Sequence, residues 1–234
     1  EKKANVFKIS GVGGKMSLVD EILAALEKGE TGEEIDVKPL PVEYEDDASG
    51  EVTKTRGYVK VQDGCNNFCS YCIIPYLRGR SRSRKMESVI REAEEMSAKT
   101  NEIVITGVDV SDYRDGENDL AALVRALEKV PVRKRFGSFD CIVVDEKLLT
   151  AMKESDFCES FHLSMQSGSD GVLKRMNRHY TSAEFLRVCD LIRSVFPDAG
   201  ITTDVIAGFP GETEEEFNET IETCRKAKFA DMHV

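Results

Sequence analysis

The chain has no run of 18 apolar residues, so no segment of it is long enough to cross a bilayer as a helix. It also lacks positive charge, with 32 basic residues against 43 acidic ones and a net charge of −11. That balance excludes a surface that is a nucleic-acid platform throughout, though it leaves room for one local basic patch. Histidine is scarce and confined to His162, His179 and His233. Seven cysteines are present, but the number is odd and no secretion signal opens the chain, which argues against a disulfide framework. The scattered thiols fit a reducing, cytoplasmic setting. With 41% hydrophobic residues over 234 positions, the chain can bury one sizeable core, or one core and a small satellite.

Three of the cysteines are grouped. Cys65, Cys69 and Cys72 stand in the stretch Gly64-Cys65-Asn66-Asn67-Phe68-Cys69-Ser70-Tyr71-Cys72-Ile73-Ile74-Pro75, with no fourth cysteine close behind. Such three-plus-two spacing lets one loop wrap a corner of an iron–sulfur cube and place a thiolate on each of three irons. Four-cysteine runs close a cluster fully, whereas here one iron stays open, as a catalytic metal site requires. S-adenosylmethionine (SAM) is the cofactor that uses such an open iron. Two other readings compete. Zinc wants a fourth ligand, and no histidine lies near in sequence; a Cys69/Cys72 redox pair leaves Cys65 without a role.

Along the chain, residues 5–10 read as a strand, and Leu18, Val19, Ile22, Leu23 and Leu26 form a helical stripe over Met16 to Lys28. Residues 29–56 turn acidic, contain Pro39 and Pro41, and hold no sustained period, the pattern of a linker. From Gly57 a strand–helix rhythm begins. Strands are expected at Tyr58 to Gln62, Glu102 to Thr106, Phe136 to Asp140, Phe161 to Met165, Ile201 to Ile206 and Asp231 to Val234. Helices are expected over Met86 to Ala98, Leu120 to Lys129 and Glu146 to Glu154, and after the capping-box pairs Thr181/Glu184 and Thr213/Glu216. Alternation of this kind implies right-handed βαβ units and a parallel sheet, with chemistry at the carboxyl ends of the strands. The notable motifs all fall at such ends: the cysteine loop, Gly107, Gln166-Ser167-Gly168, and Ala207-Gly208-Phe209-Pro210-Gly211.

These motifs, taken with the basic run Arg78 to Lys85, with His162-Leu163-Ser164-Met165-Gln166 and with Leu173-Lys174-Arg175-Met176-Asn177-Arg178, resemble the tRNA methylthiotransferase family of radical-SAM enzymes across residues 57–234. The branch acting on N6-threonylcarbamoyladenosine beside the anticodon looks closest, from Val59-Lys60-Val61-Gln62-Asp63-Gly64 and Ile73-Ile74-Pro75. Sister branches act on isopentenyladenosine in tRNA or on an aspartate of a ribosomal protein. The resemblance implies an α/β fold: a partial (βα)6 radical-SAM barrel over 57–234, a linker over 29–56, and the end of a separate α/β domain over 1–28. It implies a 4Fe–4S cluster and SAM, with a 5′-deoxyadenosyl radical as the agent that activates a carbon–hydrogen bond, and SAM as methyl donor. A second cluster belongs to the family's amino-terminal domain, but residues 1–28 hold no cysteine, and the family's carboxy-terminal RNA-binding barrel is not represented. Partners so implied are the tRNA anticodon loop and an electron donor such as flavodoxin or ferredoxin. Another radical-SAM reaction, and a zinc-holding RNA-binding module, stand as rivals.

Site roles follow from the same resemblance. Cys65, Cys69 and Cys72 hold the cluster; Tyr71 lines the adenine pocket or packs beneath the loop. Gly107 lets backbone approach the SAM amine, Gln166 and Asp204 bond the ribose hydroxyls, Arg178 pairs with the SAM carboxylate, and Gly208 edges the adenine. Arg78, Arg80, Arg82 and Arg84 are candidate RNA contacts, the alternative being a solvated loop. Cys141, Cys158, Cys189 and Cys224 lack ligand spacing and read as packing residues.

Overall fold

Two short strands, β1 (Lys8–Ser10) and β2 (Glu34–Asp36), flank helix α1 (Lys15–Glu27) and pair in parallel, Ile9 opposite Ile35. This is a computed structural model, which describes residues 8–29, 34–36, 39–46 and 55–234; positions 5–7 of the first expected strand lie outside them. The pairing sets residues 34–36, inside the stretch expected as a linker over 29–56, beside β1. The helical stripe of α1 is real, yet Val19, Leu23 and Leu26 are exposed. Farther on, the backbone N–H of Gly14 donates to Glu45 (2.6 Å) and the Tyr44 hydroxyl to the Lys60 carbonyl (3.1 Å), which lays residues 44–45 between this unit and the next.

The larger part begins with β3 (Gly57–Asp63), the cysteine loop, α2 (Ile74–Arg78), β4 (Arg82–Ser83), α3 (Met86–Ser97) and β5 (Glu102–Gly107). A small hairpin of β6 (Arg114–Asp115) and β7 (Asn118–Asp119) leads into α4 (Leu120–Ala126), then β8 (Arg133–Phe136) and α5 (Glu146–Glu154). Last come β9 (Ser160–His162), α6 (Asp170–Arg175), α7 (Ser182–Val195), β10 (Gly200–Asp204), α8 (Glu214–Ala227) and β11 (Asp231–His233). Strands β3, β5 and β8 pair in parallel in chain order, as do β9, β10 and β11. A parallel bridge between Phe139 and Leu163 joins the two groups. Six parallel strands with outer helices are the expected partial barrel, and β4 adds an antiparallel edge to β3.

Apolar alternation explains the core. Val59, Val61, Ile103, Ile105, Leu163 and Met165 are buried, and a chain of rings (Phe136 to Phe139 at 5.3 Å, Phe139 to Phe161 at 6.3 Å, Phe161 to Phe196 at 5.6 Å) crosses the seam between the two strand groups. Each ring pair adds about 0.5–1.5 kcal/mol to the area it buries. Both capping boxes form as expected, Thr181 with Glu184 and Thr213 with Glu216.

The third barrel strand differs from expectation. It occupies Arg133–Phe136; beyond it only Phe139 makes a bridge, to Leu163, before a short turn at Cys141–Val143. The charges of Arg133, Lys134 and Arg135 concealed it. Lys134 is nonetheless buried, because its ammonium donates to the Val130 carbonyl (3.0 Å) and lies 5.9 Å from the centre of the Phe157 ring. Helices α2 and α6, each six residues or fewer, were also not foreseen, being too short to show a period.

Candidate active site

Three thiols, Cys65, Cys69 and Cys72, face one cavity of about 190 Å³ at the carboxyl ends of the strands, together with Tyr71, Gln166 and Arg178. The loop carrying the cysteines is pinned at its start by Gln62. That side chain is wholly buried and donates to the carbonyls of Asp63 (3.0 Å) and Gly64 (2.7 Å) and to the Ser81 hydroxyl (2.9 Å). Its carbonyl oxygen accepts from the N–H of Asp109 (2.8 Å), which brings the loop after β5 alongside. Gly107 serves this arrangement: a Cβ there would stand 3.0 Å from the Gln62 carbonyl oxygen and 3.1 Å from its side chain. Gly64, at φ +71, turns the chain where a side chain would collide with the Arg80 carbonyl.

The far side of the loop is held by residues from the end of α6, more than 100 positions later. Asn177 donates from its amide to the carbonyls of Asn67 (2.9 Å) and Phe68 (3.1 Å). The N–H of Ser70 donates to the Met176 carbonyl (3.0 Å) and its hydroxyl to that of Arg175 (2.9 Å). Phe68 and Asn177 both sit at positive φ, 50° and 57°, a conformation that side chains other than glycine adopt at a cost. The two strained residues meet at this clasp.

Arg178 is the most heavily engaged side chain in the cavity. Its guanidinium donates to Asp140 (2.6 Å), to the Ser164 carbonyl (3.0 Å), to the Tyr180 hydroxyl (3.2 Å) and to the Cys69 sulfur (3.5 Å), and lies 4.9 Å from the Tyr180 ring centre. Burial works against its charge, but Tyr180, Asp140, Cys69 and Tyr71 outweigh burial and raise its pKa further. Burial pushes the Cys65 thiol up to about 11, Asp109 adding to the effect while the N–H of Asn67 opposes it. The Tyr71 hydroxyl is likewise raised, by burial and then by Cys69. Asp109 itself is raised by burial, with Asp140 and Asp112 contributing. The Cys65 thiol therefore holds its proton, and a metal that binds it must displace that proton.

Asp109, Asp140, Ser138, Ser164 and Asn67 also line the cavity; Asn67 and Ser164 stand inside the quoted motifs, but none of the five has a site role in the sequence reading. Their signal was positional: Asp109 follows β5 and Asp140 follows β8, the ends where a parallel barrel keeps its chemistry. Asp204 and Gly208 are not among the cavity's lining residues. Asp204 is taken by two histidines, His162 (3.1 Å) and His233 (3.2 Å), and the Gly208 N–H by Glu212 (2.6 Å).

The basic run needs correcting as an RNA-facing patch. Arg82 and Arg84 are buried; Arg82 pairs with Asp63 (3.1 Å), and Arg84 with Glu92 and with Asp46 (2.8 Å). Arg78 reaches Asp63 (3.3 Å), while Arg80 is exposed. Of the remaining cysteines, Cys141 and Cys189 are buried as expected, whereas Cys158 and Cys224 are half-buried, and Cys158 accepts from Arg133 (2.8 Å).

The chain belongs to the Radical SAM superfamily, whose pattern matches residues 59–224. It is 45% identical over 184 residues to the threonylcarbamoyladenosine tRNA methylthiotransferase MtaB of Chlamydia pneumoniae, covering 77% of this chain and 44% of the relative. It is 40% identical over 239 residues to the MtaB of Thermotoga maritima, covering 100% of this chain and 54% of the relative. The tRNA-2-methylthio-N(6)-dimethylallyladenosine synthase of Alkaliphilus oremlandii is 42% identical over 181 residues, 74% of this chain and 38% of its own. The chain thus spans about half the length of the curated relatives it matches. Among solved structures, the cobalamin-dependent SAM radical enzyme OxsB aligns with a TM-score of 0.57 at 12% identity, over 92% of this chain and 42% of that one. Coproporphyrinogen III oxidase (HemN) of Escherichia coli aligns with a TM-score of 0.53 at 15% identity, over 75% and 43%. These likenesses establish the α/β radical-SAM fold.

That superfamily implies a 4Fe–4S cluster and SAM, and the residues present fit them. Three thiols line one cavity with an arginine, in contact with Cys69, and a glutamine, side chains that can bond an amino acid's polar end. Among the described residues no three His, Cys, Asp or Glu side chains converge around a single ion. Among the described residues no helix is long and apolar enough to cross a membrane.

Proposed function

We propose that this chain is the catalytic part of a tRNA methylthiotransferase that acts on C2 of N6-threonylcarbamoyladenosine beside the anticodon. The observation that carries the reading is the convergence of three thiols, Arg178 and Gln166 on one cavity. The 45% identity to a relative named for that nucleoside directs the choice of substrate. Relatives named for dimethylallyladenosine, at 41–42% identity, make isopentenyladenosine the second substrate to try.

A bound 4Fe–4S cluster supplies one-electron chemistry on SAM. The protein's part is placement. Cys65, Cys69 and Cys72 are the cluster ligands, and Arg178, held by Asp140, Ser164 and Tyr180 beside Cys69, offers its charge and its remaining Nη1 hydrogen to a carboxylate. Gln166 lines the cavity to bond a hydroxyl, and Tyr71 borders it as a flank for the adenine. An electron donor such as flavodoxin or ferredoxin and the anticodon loop of tRNA are the partners this reading requires.

Anaerobic reconstitution with iron and sulfide tests it. About four irons per chain are expected, with an EPR spectrum of the reduced protein that shifts on adding SAM. Nucleoside mass spectrometry of tRNA carrying either modified adenosine then reads which gains a methylthio group. Zinc in place of iron, or a cluster indifferent to SAM, overturns the proposal.

A further inference from the structure

Four of the five cations in the basic run are already paired with carboxylates. Arg78 and Arg82 share Asp63, Arg84 meets Glu92 and Asp46, and Lys85 meets Asp115 (2.8 Å). Among the described residues Arg80 has no carboxylate within ion-pair range and no acceptor on its guanidinium. It is exposed, and its guanidinium carbon lies 4.4 Å from the centre of the Phe68 ring. Phe68 in turn meets Tyr76 edge to face, 5.4 Å between centres at 85°, and Tyr76 is 63% exposed. Phe68 is the loop residue held at φ 50° by the Asn177 clasp, between the ligands Cys65 and Cys69.

We propose that Arg80, seated on Phe68 beside Tyr76, is a stacking ledge for a nucleobase of the RNA substrate at the mouth of the cysteine loop. This deepens the function proposed above and rests on its choice of RNA. A guanidinium lying on an aromatic ring leaves its second plane for another π-face, and unstacked RNA bases are held on such planes. The local charge favours a base over a phosphate. Asp109 and Asp112 lie beside the cysteine loop, with Asn66 donating to Asp112 (2.9 Å) and Asn67 to Asp109 (2.9 Å). Those carboxylates repel a backbone anion at close range and leave a neutral base unaffected. The strained backbone at Phe68 has a use on this reading, since it aims the ring outward under Arg80 while its neighbours point to the cluster.

The test uses the reconstituted chain and an RNA hairpin whose seven-nucleotide anticodon loop carries 2-aminopurine, with binding read by fluorescence over a salt series. Arg80→Ala and Arg80→Lys should both weaken binding, on the order of tenfold, and both should relieve the quenching of 2-aminopurine. Tyr76→Ala should weaken it less. Iron content and melting temperature serve as the check on folding. If Arg80→Lys binds like the unmodified chain while Arg80→Ala lowers the salt slope by about one, Arg80 is a phosphate contact and the ledge is refuted. Unaltered RNA affinity with slower cluster reduction by a flavodoxin assigns the patch to a protein partner and also refutes it. Failure of the unmodified chain to bind any hairpin overturns the choice of RNA itself, a result distinct from both.

Discussion

The clasp at Asn177 can be dissected with three substitutions. Its amide makes two exposed hydrogen bonds, to the carbonyls of Asn67 and Phe68, and its own backbone sits at φ 57°. Exposed bonds of this type are worth about 0.5 kcal/mol each, near the low end of the range. A residue with a Cβ and no compensating side chain adds about 1 kcal/mol of strain in the left-handed region, which glycine avoids. Asn177→Ala should therefore cost about 2 kcal/mol and Asn177→Gly under about 1 kcal/mol. For a chain of this size that is a fall in melting temperature of roughly 4–8 °C against 1–4 °C, read on the iron-free protein. Iron retention under a chelator should group the variants differently. Both lose the amide that shapes the loop between Cys65 and Cys69, so both should release iron faster by similar factors, and Asn177→Asp, with no donor, should join them. An Asn177→Gly protein that holds iron as long as the unmodified chain would refute the claim that the amide, rather than the turn, positions the ligands.

Two further outcomes are expected. Asp140 and Arg178 form a buried pair with side chains 9% and 7% exposed, so Asp140→Ala should cost about 3–5 kcal/mol in urea unfolding, much of it recovered in the Asp140→Ala, Arg178→Met double variant. Asp119 caps α4 through the Ala122 N–H and pairs with Lys147, and the Lys147 hydrogen bond, against burial, holds its carboxyl below the usual carboxylate range. That stabilisation is present above the unfolded carboxyl's pKa and disappears as pH falls through the lower folded value. Asp119→Asn should keep the cap and lose only this acid-limb contribution, so its melting curve should converge with the unmodified one at low pH. Asp119→Ala should remain about 1 kcal/mol less stable throughout.

Local spacing was the legible part of this molecule. The cysteine loop, both capping boxes and most barrel elements are written in residues a few positions apart, and the structure has them where the sequence put them. What escaped the reading depends on facing loops. Nothing near Asn177 signals that its amide reaches back to Phe68, and Asp109 and Asp140 become cavity walls only once the strand order is known. Arg82 and Arg84 were misread for a related reason. A run of cations looks solvated until its carboxylates arrive, here from Asp63, Glu92 and Asp46, and each of these sits on a different segment. Lys134 is the same lesson inside a strand, its charge masking a buried position.

The clasp also has a consequence in time. Cys69 and the residues that shape its loop are about 110 positions apart. At a synthesis rate of about 5–20 residues per second, the three thiols emerge roughly 5–20 s before Asn177 and Arg178 exist. For that interval the ligands are a bare, flexible segment on a growing chain, with their finished shape still to be translated. On the function proposed above, cluster loading is expected after that moment, with the carboxyl-side half of the barrel setting its time.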